Sequence, residues 1–207
     1  MTELGLRKVN VEGVSEFLWP VEDFNAFHWP LQDWINDKKY FLEHVKNRSV
    51  VIQAGGCCGM YPRFYANYFK QVYTFEPDHT NYVCLTNNVS DVDNVIHYNF
   101  ALGSSNKFVS LDAPSVVGEE TNRGMFTVNE TEGSVQMITL DSLNVSGCDL
   151  IHYDLEGYET QALIGSIETI NRFNPVIIVE RLSGKEFLES IGYRLVKKTS
   201  MDSIFVR

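Results

Sequence analysis

The strongest constraint on the fold is an alternation, from Ser49 onwards, of short apolar runs with segments that have helical character. The apolar runs predict buried strands of a parallel sheet; they are SVVIQAG, QVYTFE, NVIHYNFAL, CDLIHYDLE and PVIIVE. Helices are predicted between them at Tyr61–Lys70, Asn81–Asn88 and Thr160–Phe173. The last two runs, YRLVKKT and DSIFVR, are too close in sequence for a parallel crossover. We therefore expect an α/β fold: a doubly wound, mostly parallel sheet with helices on both faces and a C-terminal antiparallel strand.

The first 48 residues differ in character from the rest of the chain. They contain all three tryptophans and two Trp-Pro pairs that break regular structure, and a helix is predicted only from Ile35 to Lys46. We therefore divide the chain into an aromatic-rich, helical or irregular extension (1–48) and a Rossmann-like domain (49–207). The aromatic side chains of the extension either form a lid over a substrate or pack against the sheet edge or a second subunit. These residues are Trp19, Phe24, Phe27, His28, Trp29 and Trp34.

Local patterns predict several element ends. Pro62 suits the first turn of its helix, and Asp78 is a predicted N-cap of the next one. The sequence Ser183-Gly-Lys-Glu186 has the form of a capping box, and Gly192 is expected to end the helix that it opens. Short strands are predicted at KFVSL and SVQMITL.

The composition narrows the class of partner. With 27 acidic and 17 basic residues the chain carries a formal charge of −10, which disfavours binding to duplex nucleic acid or to anionic lipid. A small neutral or cationic ligand is easier to accommodate. No apolar run is long enough to span a membrane, no signal-peptide pattern is present, and four irregularly spaced cysteines predict reduced thiols. We expect a cytoplasmic protein with no nucleic-acid or membrane partner.

The ends of the predicted strands carry the residues expected to bind a cofactor, because ligands of such sheets bind at the carboxyl ends of the strands. The turn after the first strand is rich in glycine, and Glu76 follows Gly55 by 21 positions, a spacing that suits a carboxylate accepting both hydroxyls of a ribose. The amide of Asn99 is placed to bond an adenine edge, and Phe100 to pack on its face. The expected cofactor-binding residues are Gln53, Ala54, Gly55, Gly56, Gly59, Tyr61, Glu76, Pro77, Asp78, Asn99, Phe100, Ala101 and Asp154.

The glycine turn also discriminates between cofactors. A dinucleotide fingerprint requires a second glycine where this chain has Cys57. S-adenosylmethionine has a ribose and an adenine but no phosphate, so it tolerates the sequence Gly-Gly-Cys-Cys-Gly. We therefore expect S-adenosylmethionine, and an NAD-dependent oxidoreductase stays open as an alternative.

The fourth strand ends in ionisable residues. Strand alternation places His152, Asp154 and Glu156 on one side, and any of the three is suited to accept a proton from a substrate hydroxyl. The imidazole and the two carboxylates also form a conceivable metal-ligand set. We expect no metal, and the sequence does not decide which of the three is the base.

These segments together resemble the FkbM family of S-adenosylmethionine-dependent methyltransferases. The resemblance runs from about Val50 to Glu180 through VVIQAGGCCGMYP, VYTFEPD, NFALGSS, MITLDSL and CDLIHYDLEGYETQALIGSIETINRFNPVIIVE. It implies a class I, Rossmann-like fold and O-methylation of a hydroxyl on a sugar or small natural product. It further implies that Gly55–Gly59 and Glu76 bind the cofactor. Asp154, Glu156 and Glu159 match the acidic motif that lies next to the transferred methyl in this family.

Two residues depart from the family pattern. The family usually has Asp where this chain has Gln53, and Lys where it has His152. The first change removes a charge that would help to hold the amino end of the cofactor, and the second replaces a permanent cation by a titratable group. A non-catalytic cofactor-binding protein of the same fold is therefore a further alternative.

Overall fold

The fold is described from a computed structural model, which describes residues 5–11, 16–23, 27–113 and 122–207. The strands are β1 (Leu6–Asn10), β2 (Glu16–Pro20), β3 (Val50–Ala54), β4 (Gln71–Phe75), β5 (Val95–Tyr98), β6 (Ala101–Leu102), β7 (Lys107–Asp112), β8 (Thr127–Asn129), β9 (Val135–Ile138), β10 (Leu150–Tyr153), β11 (Val176–Glu180), β12 (Arg194–Lys198) and β13 (Asp202–Val206). The α-helices are α1 (His28–Glu43), α2 (Met60–Ala66), α3 (His79–Asn88), α4 (Glu159–Ile164), α5 (Ile167–Phe173) and α6 (Lys185–Ser190). Short 3₁₀ turns lie at Arg123–Met125 and Leu140–Leu143.

Seven strands form the central sheet in the order β12-β13-β11-β10-β3-β4-β5. Strands β5, β4, β3, β10 and β11 pair in parallel, and β13 pairs antiparallel with both β11 and β12. This arrangement confirms the predicted mixed sheet with its C-terminal hairpin. Strand order reverses between β3 and β10, so a ligand-binding crevice is expected at the carboxyl ends of these two strands.

Both faces of the sheet are covered by helices, as predicted. Successive residues of a strand point to opposite faces, and Val51 and Ile52 of β3 accordingly belong to different cores. The first core contains side chains of α1, α2 and α3, including Trp34, Phe41 and Tyr65. The second contains side chains of α4, α5 and α6. Both layers leave the carboxyl ends of the strands free to form a site.

The N-terminal residues are more regular than the sequence indicated. A β1–β2 hairpin, not predicted, precedes α1, and α1 begins at His28 rather than at Ile35. The Trp-Pro pairs do not disrupt these elements, because one ends β2 and the other lies in the first turn of α1, where proline is tolerated. The hairpin is attached to α3 by the Asn88 side chain, which accepts from Leu18 N (2.7 Å) and donates to Leu18 O (2.8 Å).

The N-terminal extension and the sheet share one core. Phe17, Trp19 and Trp34 are buried in the cluster that covers the first face. Packing against the domain is therefore observed for these aromatic residues, whereas Trp29 is 65% exposed. Phe24 lies outside the described residues, and the boundary at residue 48 stays a prediction.

Two predicted elements are interrupted. NVIHYNFAL forms two strands in different sheets, β5 and β6, because Asn99 Nδ2 donates to the carbonyls of Glu76 and Pro77 and the chain leaves the central sheet there. The predicted helix 160–173 is divided into α4 and α5 around Gly165. A Cβ at Gly165 would lie 1.9 Å from the carbonyl oxygen of Gly103, so the chain passes too closely for any other residue.

Helix ends differ as well. Helix α2 ends at Ala66 rather than at Lys70. Ser183 is not the cap of α6; the N-cap is Gly184, with φ of +70° and no side-chain cap hydrogen bond. The predictions for Asp78, which accepts from Asn81 N (2.9 Å), and for Gly192, which has φ of +90° after α6, are confirmed. None of the helices in the described ranges combines the length and the apolar character needed to cross a membrane.

Candidate active site

The candidate site is a cavity of about 440 Å³ at the carboxyl ends of the central strands. Gly55, Glu76, Asp154 and Glu180, which follow or end β3, β4, β10 and β11, all line it. A second cavity of about 40 Å³ adjoins it and shares Gly55, Glu76 and Asp154. The site therefore lies at the point where strand order reverses, as expected for this type of sheet.

The glycine turn brings bare backbone against the neighbouring strand ends. Gly55 has φ of +83°, and a Cβ there would lie 1.9 Å from the carbonyl oxygen of Asp154. Gly55 N and Gly56 N both donate to Phe75 O, at 3.1 and 2.9 Å. Only glycine fits at position 55, because both the backbone conformation and the available space exclude a side chain. Gly59 has φ of +93° and serves as N-cap of α2, but it does not line either cavity.

Glu76, which follows β4, binds the glycine turn and lines both cavities. Its carboxylate accepts from Cys57 N (2.7 Å) and from Asp78 N (2.8 Å), and the residue is 5% exposed. Burial raises the pKa of Glu76 to about 8, against the opposing effect of the Asp78 backbone hydrogen bond. Each carboxylate oxygen has further acceptor capacity, so the group is able to bond hydroxyls of a ligand in either cavity.

The smaller cavity has a mostly apolar lining. Ala54, Pro77, Phe100 and Ala101, which the sequence analysis assigned to the cofactor, line it. Asn99 does not line it, because its amide nitrogen is used by the backbone carbonyls of Glu76 and Pro77.

Asp78 also lies outside both cavities. It caps α3 and pairs with Arg123 at 2.7 Å, and Arg123 binds Glu22 as well. Asp78 therefore orders the loop next to Glu76. Tyr61 lines the larger cavity, as expected.

Three carboxylates meet at the other end of the larger cavity. One oxygen atom from each of Asp154, Glu156 and Glu180 lies within 4.8 Å of the others. Burial, and then the charge of Asp202, raises the pKa of Asp154 well above its ordinary value. Burial, and then the charge of Glu180, raises the pKa of Glu156 to about 7. The two predicted carboxyl groups are thus brought together, and Glu156, with its pKa near neutral, is suited to exchange a proton there.

The loop that carries Glu156 is held in an unusual conformation. Glu156 has φ of +53°, which is uncommon for a residue with a side chain. Glu159 is fully buried and accepts from Leu155 N (2.8 Å) and Gly157 N (3.2 Å). Glu159 does not line the cavity, so its contribution is to hold the loop that presents Glu156.

His152 does not reach the cavity, in contrast to the expectation that it converges there with the acidic residues. It is fully buried in β10, and its Nδ1 lies 2.8 Å from the hydroxyl of Tyr65. Its Nε2 lies 3.8 Å from Asp202 Oδ1. The alternation rule fails here because β10 ends at Tyr153, after which the chain turns towards Asp154 and Glu156. Neither a metal-ligand set nor a substrate base that includes His152 fits this placement.

Gln53 is buried next to His152. The two residues are register partners in β3 and β10, so both departures from the family pattern occupy neighbouring positions of the sheet. Gln53 accepts from Thr74 Oγ1 (2.6 Å) and donates to the carbonyls of Ala54 (3.2 Å) and Gly55 (3.0 Å). It lines neither cavity. Gln53 thus supports the glycine turn through its hydrogen bonds to Ala54 and Gly55.

Sequence reasoning did not assign Asp33, Glu180 or Asp202 to the site, although all three line the cavity. Trp29, one of the candidate lid residues, also lines it. Glu180 ends an apolar run, so the rule that found Glu76 also applies to it. Asp202 begins an antiparallel strand and reaches the same edge because it is the register partner of Glu180. Trp29 and Asp33 lie four residues apart in α1 and therefore share a helix face; the predicted start at Ile35 had excluded them from a helix.

Residues 57–202 match the family described as the methyltransferase FkbM domain, which is more than half of the chain. No curated protein is significantly similar in sequence. A solved structure of methyltransferase FkbM from Methylobacillus flagellatus KT is similar, with a TM-score of 0.56 and 14% identity over 89% of this chain and 55% of that one.

Two further solved structures extend the comparison. Trm5b from Pyrococcus abyssi has a TM-score of 0.54 and 12% identity over 99% of this chain and 56% of that one. A Streptococcus mutans structure in complex with S-adenosylhomocysteine has a TM-score of 0.50 and 11% identity over 83% and 96% of the two chains. The chain thus spans about half the length of the first two structures, and at these identities the likenesses concern the fold.

Proposed function

Since the chain belongs to the FkbM methyltransferase family, we propose that it transfers a methyl group from S-adenosylmethionine to a hydroxyl of a sugar or small natural product. The observation that carries this proposal is the meeting, in one cavity, of a bare glycine turn, the buried Glu76 and the carboxylates of Asp154 and Glu156. The glycine turn and Glu76 suit the cofactor, and the two further carboxylates suit an acceptor hydroxyl. The acceptor class rests on the family resemblance.

The residues of the site fit S-adenosylmethionine. The backbone at Gly55 has no space for a side chain and faces the cavity. Glu76 offers a carboxylate for the ribose hydroxyls, and Ala54, Pro77 and Phe100 offer apolar surface for the adenine. When bound, S-adenosylmethionine supplies a methyl group that is already activated by a positively charged sulfur.

The protein then has two tasks, which are to align the acceptor oxygen and to accept its proton. Asp154 lies against Gly55 and lines both cavities, so it is at the junction of the cofactor and acceptor regions. Glu156 lies beside it and has a pKa of about 7. Either carboxylate is suited to take the hydroxyl proton as the new carbon–oxygen bond forms. His152 is not assigned this role, because it is buried beneath the site.

The charge of the cavity supports a small acceptor without phosphates. Asp33, Asp154, Glu156 and Glu180 line its outer part, together with a single basic residue, Arg181, among the described lining residues. A polyanion would be repelled there. We therefore propose that the protein has no nucleic-acid or membrane partner. A cytoplasmic location is also part of the proposal.

The first test is binding. Calorimetry should detect S-adenosylhomocysteine binding to the full chain and no comparable binding of NAD. Binding of NAD alone would favour an oxidoreductase. Failure to bind S-adenosylhomocysteine would refute the proposed cofactor.

The second test is turnover with radiolabelled S-adenosylmethionine and a panel of sugars and hydroxylated small molecules. Asp154→Asn and Glu156→Gln should each lower the rate about 100-fold or more, the usual contribution of a general base. Glu186→Gln makes the same charge change at an exposed position of α6 and should leave the rate unchanged. Full turnover in both cavity variants would refute the assignment of these carboxylates. Binding without turnover on any acceptor would favour the non-catalytic alternative.

A further inference from the structure

Carboxyl groups outnumber basic residues at the acceptor end of the larger cavity, where Asp154, Glu156, Glu180 and Asp202 line it together with Arg181. Asp202 is 4% exposed, and its Oδ2 has no hydrogen-bond partner among the described residues. It is the register partner of Glu180, and both line the cavity. Arg181 pairs with Glu180 (3.3 Å), and its side chain is 78% exposed. A buried carboxyl oxygen without a hydrogen-bond partner is costly, so a cationic ligand that reaches Asp202 would stabilise this wall.

The positions of the carboxylate oxygens suit a protonated amine. Three acceptors placed 2.8 Å from one nitrogen in tetrahedral directions lie about 4.6 Å apart. The oxygens of Asp154, Glu156 and Glu180 lie no more than 4.8 Å apart. One ammonium group can therefore donate to two of these carboxylates, or to all three, with ordinary hydrogen-bond lengths.

The lining of this cavity also contains an aromatic side chain. Trp29 is 65% exposed and lines the same cavity as Asp33, one helical turn further along α1. An indole face attracts an organic cation through its quadrupole and packs against the carbon atoms that carry it. A bare metal ion gains nothing from such packing, so the aromatic side chain favours an amine over a metal.

We propose that the acceptor carries a protonated amine near its reacting hydroxyl, and that this amine binds between Trp29 and the carboxylates of Glu156 and Glu180. This inference rests on the proposed function, and it names the acceptor class more closely. Asp154, whose backbone carbonyl lies against Gly55, is then left beside the cofactor to accept the hydroxyl proton. Asp202, whose Oδ2 has no hydrogen-bond partner among the described residues, adds to the field that attracts the cation.

The test compares two probes that differ only at the amine. Glucosamine and N-acetylglucosamine are titrated by calorimetry into the full chain saturated with S-adenosylhomocysteine at pH 7. Glucosamine should bind at least about tenfold more tightly, since a charge-assisted hydrogen bond is lost on acetylation. Glu180→Gln and Trp29→Ala should each reduce this preference severalfold. Glu186→Gln should retain it, and because Trp29 is exposed its replacement should leave folding unchanged.

Three results would overturn the inference. Equal binding of the two sugars would show that no amine is recognised. Weaker binding of S-adenosylhomocysteine to Glu180→Gln would show that the carboxylates hold the amino end of the cofactor. Tight binding of Mg²⁺ in competition with glucosamine would show a metal site. Failure of the proposed function gives a different result, which is the absence of S-adenosylhomocysteine binding to the unchanged chain.

Discussion

Replacing Glu76 by Gln should change the pH dependence of stability in a predictable way. The carboxyl group is 5% exposed and has a pKa of about 8, because burial disfavours its charged form. The unfolded chain releases this proton near pH 4.5, the ordinary value. Between these two values the folded state holds a proton that the unfolded state has lost. Its stabilising effect is therefore complete below about pH 4.5 and is lost as the pH rises through about 8.

The difference between the two pKa values corresponds to about 5 kcal/mol of unfolding free energy. The neutral Glu76→Gln variant does not incur this loss. It has a different defect, because its amide oxygen can accept from only one of Cys57 N and Asp78 N, where the carboxylate accepts from both. An unsatisfied buried N–H costs about 1–3 kcal/mol. The variant should therefore be less stable than the parent at pH 5 and more stable at pH 9.

Urea unfolding followed by tryptophan fluorescence at several pH values between 5 and 9 measures this crossover. The contributions of other titrating groups cancel in the difference between the two proteins. Glu186→Gln, at an exposed position, controls for the loss of one acidic group. A difference in unfolding free energy that stays constant across this pH range would refute the reasoning.

Three further predictions concern the same site. S-adenosylhomocysteine should bind more weakly as the pH falls below about 8, because Glu76 binds ribose hydroxyls best as a carboxylate. The affinity should fall by up to tenfold per pH unit. Calorimetry that shows a pH-independent affinity would contradict this prediction. Gly55→Ala should lower the unfolding free energy by at least about 3 kcal/mol, since its Cβ would meet a backbone oxygen at 1.9 Å; a loss below about 1 kcal/mol would count against that clash. Tyr65→Phe should lower the unfolding free energy by about 1–3 kcal/mol, because His152 Nδ1 loses its hydrogen-bond partner. An unchanged midpoint of urea unfolding would argue against this hydrogen bond.

The sheet and the family were both predictable from the sequence, and both predictions are confirmed. Apolar runs that end in glycine or an acidic residue have few alternatives to buried parallel strands, so β3, β4, β10 and β11 were placed correctly. The same runs led to Gly55, Glu76 and Asp154, because position at a strand end is a local property. The roles of these residues in binding and catalysis stay predictions.

Other features depend on contacts between distant segments and were not readable from local patterns. Asn99 was assigned to the adenine, but its amide is used by the backbone of another loop. His152 was assigned to the cleft, but the strand ends one residue later and its ring stays in the core. Asp202 reaches the cavity only through the register of an antiparallel pair. These positions are set by tertiary packing, which the spacing of residues does not encode.

The attachment of the hairpin to α3 has a consequence for the rate of product release. Asn88 at the end of α3 binds both backbone groups of Leu18, and the adjacent Trp19 lines the cavity. At the other end of α3, Asp78 follows Glu76 by two residues and is bound to Arg123. A ligand held at Glu76 is thus enclosed by segments that are fastened to the two ends of one helix. We expect the residence time of S-adenosylhomocysteine to shorten in Asn88→Ala, with faster amide hydrogen exchange in β2 as the accompanying sign.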